Sequence, residues 1–241
     1  MRYLVFAISL LLNAEGLAGI PESKDSTNLL ANPSFEELSG TLPVGWETDV
    51  WDNEPGVTDF AVRDEEAHHG RYSVTIINHQ PNDARLKQTV KVDPDTTYRV
   101  SCWVMTRNVA SRGKGANVSF HGIPATSRAI SGTTDGWQPL ELYLKTGAGV
   151  KQVELTLGLG GYGAINQGEA TFDQVRFEKV TSVPEGVQPI ILTSEGEGKF
   201  RQSPSPASPP GRFLWILVAT SFGIMITAAG YYRWALAGAR P

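Results

Sequence analysis

Thr97-Tyr98-Arg99-Val100-Ser101-Cys102-Trp103-Val104-Met105 alternates without a break. Tyr98, Val100, Cys102 and Val104 share one face, while Arg99, Ser101 and Trp103 share the other. A period of two describes a strand with one face on a core and the other toward solvent or a ligand. The signature recurs along the chain. Leu140, Leu142 and Leu144 alternate with Glu141 and Tyr143; Val153, Leu155, Leu157 and Leu159 alternate with Glu154, Thr156 and Gly158. Phe172–Val180 supplies a last strand. The breaks between runs are turn chemistry, as in Asp93-Pro94-Asp95, Thr134-Asp135-Gly136 and Gly160-Gly161. No stretch from Asn28 to Val180 holds a helical period. About ten evenly spaced strands with no helix to cover a parallel sheet predict an all-β fold, an antiparallel sandwich or jelly roll.

The flanks read differently. Residues 1–18 combine Arg2, a short apolar run and the small-residue exit Gly16-Leu17-Ala18, the pattern of a secretory signal peptide. Residues 27–181 are the predicted sandwich. Residues 182–212 carry Ser203-Pro204-Ser205-Pro206-Ala207-Ser208-Pro209-Pro210, a composition that predicts a disordered Pro-rich stalk, with Ile190–Leu192 the one stretch able to pack on the domain. Residues 213–232 hold twenty positions without a charge, enough for one transmembrane helix, and 233–241 would be a cytoplasmic tail. The span is read as an anchor, with a sorting signal or the start of a larger polytopic protein left open. Together these place the sandwich on the extracytoplasmic side of a membrane, in the periplasm or at the cell surface.

Residues 19–211 carry 24 Asp and Glu against 17 Lys and Arg. That acidic balance without a basic stripe argues against a nucleic-acid partner. Cys102 is the sole cysteine, so no disulfide forms within the chain and the core must suffice. The sequon Asn117-Val118-Ser119 matters only in a eukaryotic secretory pathway.

Five segments now line up in order. They are Asn28-Leu29-Leu30-Ala31-Asn32-Pro33-Ser34-Phe35-Glu36, Pro43-Val44-Gly45-Trp46, Ala67-His68-His69-Gly70-Arg71-Tyr72-Ser73-Val74, Tyr98–Val104 and Ala170-Thr171-Phe172-Asp173-Gln174-Val175. This set resembles the family 4/family 9 type of carbohydrate-binding module, within the galactose-binding-like jelly rolls. The resemblance implies a structural calcium held by Glu36 and Asp173, with backbone carbonyls near Ser34 and in the 69–71 loop. A hard cation wants about six to eight oxygens, and such a site would clip two sequence-distant strands together. Gln174 stands where the family usually has a second acid, which lowers the charge of the site.

A sugar site needs aromatic faces for pyranose rings and planar polar groups for hydroxyls. Trp46 is expected in the core, Trp103 in packing, and Trp137 as a cap on the sandwich. Trp51, between Asp49 and Asp52-Asn53-Glu54, is expected to be exposed, and Tyr162, among glycines, to stand free. His79, Arg85 and His121 fall at strand ends where loops converge. These five, Trp51, His79, Arg85, His121 and Tyr162, form the expected carbohydrate-binding set; an alternative lies on the sheet around Arg85, His121 and Tyr143. The stretch His79-Gln80-Pro81-Asn82-Asp83 lacks the aromatic that related modules often carry there, so no family sugar site transfers residue by residue.

Catalysis is not expected. Asp64-Glu65-Glu66 are adjacent on an extended chain and point in opposite directions, so they cannot face one cleft as a glycosidase pair. His68, His69, His79 and His121 show no zinc spacing. The expectation is a membrane-anchored, lectin-like protein that binds a polysaccharide or glycan. Two alternatives of the same fold remain: a protein-interaction or adhesin module with an envelope protein partner, and an accessory module of a glycoside-hydrolysing system.

Overall fold

The structure, a computed structural model, describes residues 27–193. The expected signal peptide, the stalk beyond residue 193, the transmembrane helix and the tail lie outside the described residues. Among the described residues no helix is long and apolar enough to cross a membrane.

Twelve strands follow one another: β1 (Leu38–Ser39), β2 (Leu42–Pro43), β3 (Glu47–Val50), β4 (Thr58–Arg63), β5 (Ser73–Asn82), β6 (Ala84–Lys91), β7 (Thr97–Arg107), β8 (Ala116–Phe120), β9 (Gln138–Thr146), β10 (Gln152–Leu159), β11 (Asn166–Lys179) and β12 (Ile190–Leu192). They form a four-stranded sheet in the order β3-β6-β10-β8 and a six-stranded sheet in the order β12-β9-β7-β11-β5-β4, with β1 and β2 as a small ribbon. Every pairing is antiparallel except β12 on β9. Ile190 is buried in that pairing, so the fold extends past the boundary expected at residue 181.

The alternation is realised as read. Tyr98, Val100, Cys102 and Val104 of β7 point into the core with Leu140 and Leu144 of β9 and Leu155, Leu157 and Leu159 of β10. Burial pushes the Cys102 thiol far above its ordinary range, leaving it a small core residue without thiolate reactivity. Trp46 is buried against Phe35, with ring centroids 5.2 Å apart, and its indole N–H donates to the carbonyl of Asn32 at 3.1 Å. Trp103, on the outer face of β7, stacks on His68 at 4.2 Å, and Trp137 meets the same imidazole edge-on at 5.6 Å.

Three connections cross from one sheet to the other at the same end of the sandwich. Residues 51–57 link β3 to β4, Asp83 alone links β5 to β6, and residues 160–165 link β10 to β11. A crossing backbone leaves its ladder, and its N–H and C=O groups then need other partners. Buried asparagines supply them. The Asn82 amide oxygen accepts from the N–H groups of Asp52 (3.0 Å) and Asp83 (2.9 Å), and its nitrogen donates to the Asp52 carbonyl and the Thr58 hydroxyl, both at 2.8 Å. Thr58 donates in turn to Asn78, whose amide reaches the carbonyls of Asn82, Leu159 and Asn166. One polar network thus fastens all three crossings.

Candidate functional site

The three crossings wall a cleft of about 440 Å³ lined by Asp49, Trp51, Asp83, Arg85, His121, Tyr162 and Ile165 among others. Its volume lies within the span of about 300–1,000 Å³ usual for small-molecule sites. Trp51 stands at the lip with 84% of its surface exposed. Its backbone is nevertheless fixed: its N–H donates to the Asp83 carbonyl at 2.9 Å, and the next residue is held on both sides by Asn82. The fold has therefore already met the backbone ordering cost beneath a solvent-facing indole.

Arg85 forms the floor. Cross-strand register puts Asp49, Arg85, Gly158 and Asn117 in one row across the four-stranded sheet. The Arg85 guanidinium donates through Nε to Asp83 Oδ1 at 2.9 Å and through Nη2 to Asp83 Oδ2 at 2.5 Å, and the ring of Tyr162 lies 4.7 Å above it. Burial lowers the pKa of this group, but the bonds and charge of Asp83 outweigh that and hold it above the ordinary arginine value. Tyr162 does not stand free as the sequence suggested. Its ring covers Arg85 and its hydroxyl accepts from the Gly122 N–H at 3.0 Å, which leaves it half exposed. His121 closes the side, with Nδ1 3.8 Å from Asp49 and 3.6 Å from Glu154. Lys87 bonds Glu154 at 3.1 Å, and that bond raises the lysine pKa.

Trp51, Arg85, His121 and Tyr162 therefore converge, and His79 does not join them. His79 sits on β5 in the other sheet, bonded to Asp59 at 2.8 Å, and lines a shallower cleft of about 250 Å³ with Arg107, Gln167 and Glu169. The cleft is built on the four-stranded sheet and the crossings, and His79 is not among its lining residues. Tyr143 is also separate, since it lies on β9 in the six-stranded sheet. Sequence reading missed Asp49, Asp83 and the asparagine network. Its one available signal was asparagine at positions 78, 82, 117 and 166 in or beside strands, where that residue is unfavourable unless its amide is used.

The expected metal pair lies elsewhere, under the 64–72 loop on the outer face of the six-stranded sheet. Asp173, fully buried on β11, accepts at Oδ2 from the N–H groups of His68 (2.7 Å) and His69 (2.9 Å), and at Oδ1 from Gln174. Glu36 Oε1 accepts from the N–H groups of Arg71 and Tyr72, each at 2.9 Å. Phe35 (φ 62°) and Gln174 (φ 49°) adopt left-handed backbone beside the two acids, Gln174 at an irregularity in the β11–β7 register. Such conformations persist only where the surroundings fix them. Gly70 (φ 75°) suits this left-handed backbone, and a Cβ there would fall 2.4 Å from Glu36 Oε1, so the carboxylate would have to shift off the loop amides. The loop offers amides where the family resemblance implied carbonyls. Burial and the neighbouring charge of Glu36 raise the Asp173 carboxyl to about 6 against the pull of its three amide bonds.

Comparison with known proteins completes the picture. Solved structures similar to this chain include TmCBM61 in complex with β-1,4-galactotriose (20% identity, TM-score 0.43, covering 64% of this chain and 100% of that one). Another is the CBM22-1 xylan-binding domain of Paenibacillus barcinonensis Xyn10C (17% identity, TM-score 0.39, 62% and 93% covered). A third is a Stig cyclase, Fisc, from Fischerella sp. TAU (15% identity, TM-score 0.47, 65% and 98% covered). No curated protein matches the sequence. Residues 27–160, more than half of the chain, match the carbohydrate binding domain CBM_4_9, and the chain belongs to that family.

Proposed function

We propose that the protein is a membrane-anchored, extracytoplasmic, lectin-like protein that binds a glycan in the cleft between Trp51 and Tyr162 and has no catalysis of its own. The observation that carries the reading is the exposed Trp51, its backbone tied to Asp83, at the lip of a cleft that also holds the part-exposed Asp49 and His121. An aromatic face stacks on the apolar face of a pyranose, and the part-exposed Asp49 carboxylate and His121 imidazole offer polar groups to sugar hydroxyls. The signal-like residues 1–18 and the uncharged run 213–232 support the location. The family supports a binding module over an enzyme. A glycan array probed with residues 19–211, beside the same fragment carrying Trp51→Ala, tests the site. Binding that survives the substitution moves the site elsewhere. Silence across plant, microbial and host glycans, with a protein recovered by pull-down, replaces the reading with an interaction module.

A calcium ion at Glu36 and Asp173 belongs to the same proposal. What supports it is two carboxylates brought together from distant strands, Asp173 fully buried and Glu36 near enough for its charge to be felt there. Asp173 and Glu36 Oε1 accept backbone N–H groups that calcium would have to displace, and the described residues gather no third acid, histidine or cysteine at the pair. Calcium there would neutralise the pair and fasten the 64–72 loop to β11.

A further inference from the structure

We propose that the cleft prefers a sugar unit carrying a protonated amine over its neutral or carboxylated counterpart, an inference that rests on the glycan-binding reading above. The charges of the cleft do not cancel where a ligand would lie. Asp49 and Arg85 are cross-strand partners in register, yet Arg85 gives two hydrogen bonds to Asp83 and has its face covered by Tyr162. With a side chain only 7% exposed, that guanidinium is both paired and shielded. Asp49 is left without it. Its carboxylate, 41% exposed, has His121 Nδ1 at 3.8 Å and, among the described residues, no lysine or arginine within ion-pair distance. Lys87, two residues further along β6 and in the neighbouring row, is bonded to Glu154 at 3.1 Å and lies 3.9 Å from Glu47, so Asp49 feels its charge only without direct contact. The segment 47–56, which carries Trp51, adds Glu47, Asp52 and Glu54 and contains no lysine or arginine.

Each ligand class meets this arrangement differently. A uronate brings a third carboxylate toward Asp49 and Asp83 with no free cation to receive it, and like charges brought together are disfavoured. A neutral sugar removes water from Asp49 and returns only hydroxyl hydrogen bonds. An ammonium group pairs with Asp49 through a charge-assisted bond and lies against the exposed face of Trp51, which attracts cations electrostatically.

The test uses one backbone in two states: the β-1,4-linked glucosamine hexamer and its fully N-acetylated form, titrated by calorimetry at low and at physiological salt into residues 19–211. The amine form is expected to bind about tenfold tighter, with the ratio falling as salt rises. Asp49→Asn should bring the ratio toward one, whereas Glu185→Gln, a distant exposed acid, should leave it in place. Melting curves confirm that both variants fold. An equal or reversed preference overturns the inference and leaves glycan binding standing. A preference that survives Asp49→Asn also overturns it, since the acidity of the whole domain would then be the cause. Silence toward both hexamers, with binding to other glycans on the array, overturns it alone; silence toward every glycan removes the functional reading as well.

Discussion

Asn82→Ala should loosen the lip of the cleft and lower the stability of the whole domain, because Asn82 sits where two of the three crossings meet. Its side chain makes four hydrogen bonds in a fully buried position. Two of them go to the backbone of Asp52, which lies at the surface, so water replaces them and the loss is the net value of a bond, about 1 kcal/mol each or less. The other two go to the half-buried Asp83 N–H and Thr58 hydroxyl, where an unmet group costs about 1–3 kcal/mol. Taking the lower end of each range, about 3 kcal/mol follows, about 6–12 °C in Tm for a domain of this size. The local effect separates this role from simple core damage. Hydrogen exchange at the Asp52 and Asp83 amides should accelerate by more than the global loss requires, while the amides of Val100 and Leu142 track global unfolding. A melting temperature within about 2 °C of the parent, or exchange at Asp52 no faster than at Val100, would refute the reasoning.

Trp46→Ala should cost about 3–5 kcal/mol for a buried indole with little direct effect on the cleft, whereas Trp51→Ala should leave the melting temperature nearly unchanged and abolish glycan binding. If Trp51→Ala unfolds the domain, its ring is structural and the stacking argument fails. Gly70→Ala drives a methyl group into the Glu36 carboxylate and strains a left-handed backbone, so the 64–72 loop should detach, seen as protease cleavage within it; an intact loop in that variant would contradict the geometry. For Asp173 the folded carboxyl titrates near 6 against an ordinary 3.8, so the folded state holds the proton more tightly than the unfolded chain does. The resulting stability is full below about 3.8 and is lost as pH rises through about 6, some 3 kcal/mol in all at about 1.36 kcal/mol per unit. Calcium would bind the ionised form, so the gain in Tm between chelator and saturating calcium should grow from pH 5 to pH 7.5. A gain of zero at both values would show that the amides alone suffice.

The strands were legible because alternation is local: a residue facing the core must be apolar whichever partner lies opposite, and Tyr98 to Val104 declares this within seven positions. The exposure of Trp51 was legible for the same reason, since its acidic neighbours could not enter a core unpaired. The meeting of Trp51, Arg85, His121 and Tyr162 could not be read that way. It depends on which strands exchange sheets, and the chain crosses between sheets at residues 51–57, 83 and 160–165, three places far apart in sequence. His79 shows the limit from the other side. It looks like Arg85 in the sequence, six positions earlier at a strand end, yet the single residue Asp83 separates a strand of one sheet from a strand of the other. Arg85's choice of Asp83 over Asp49 is likewise tertiary, because sequence supplies both carboxylates and only side-chain geometry decides which is paired. Hydrophobic period fixes which face of each strand is buried; the crossings and their buried amides fix which outward residues meet.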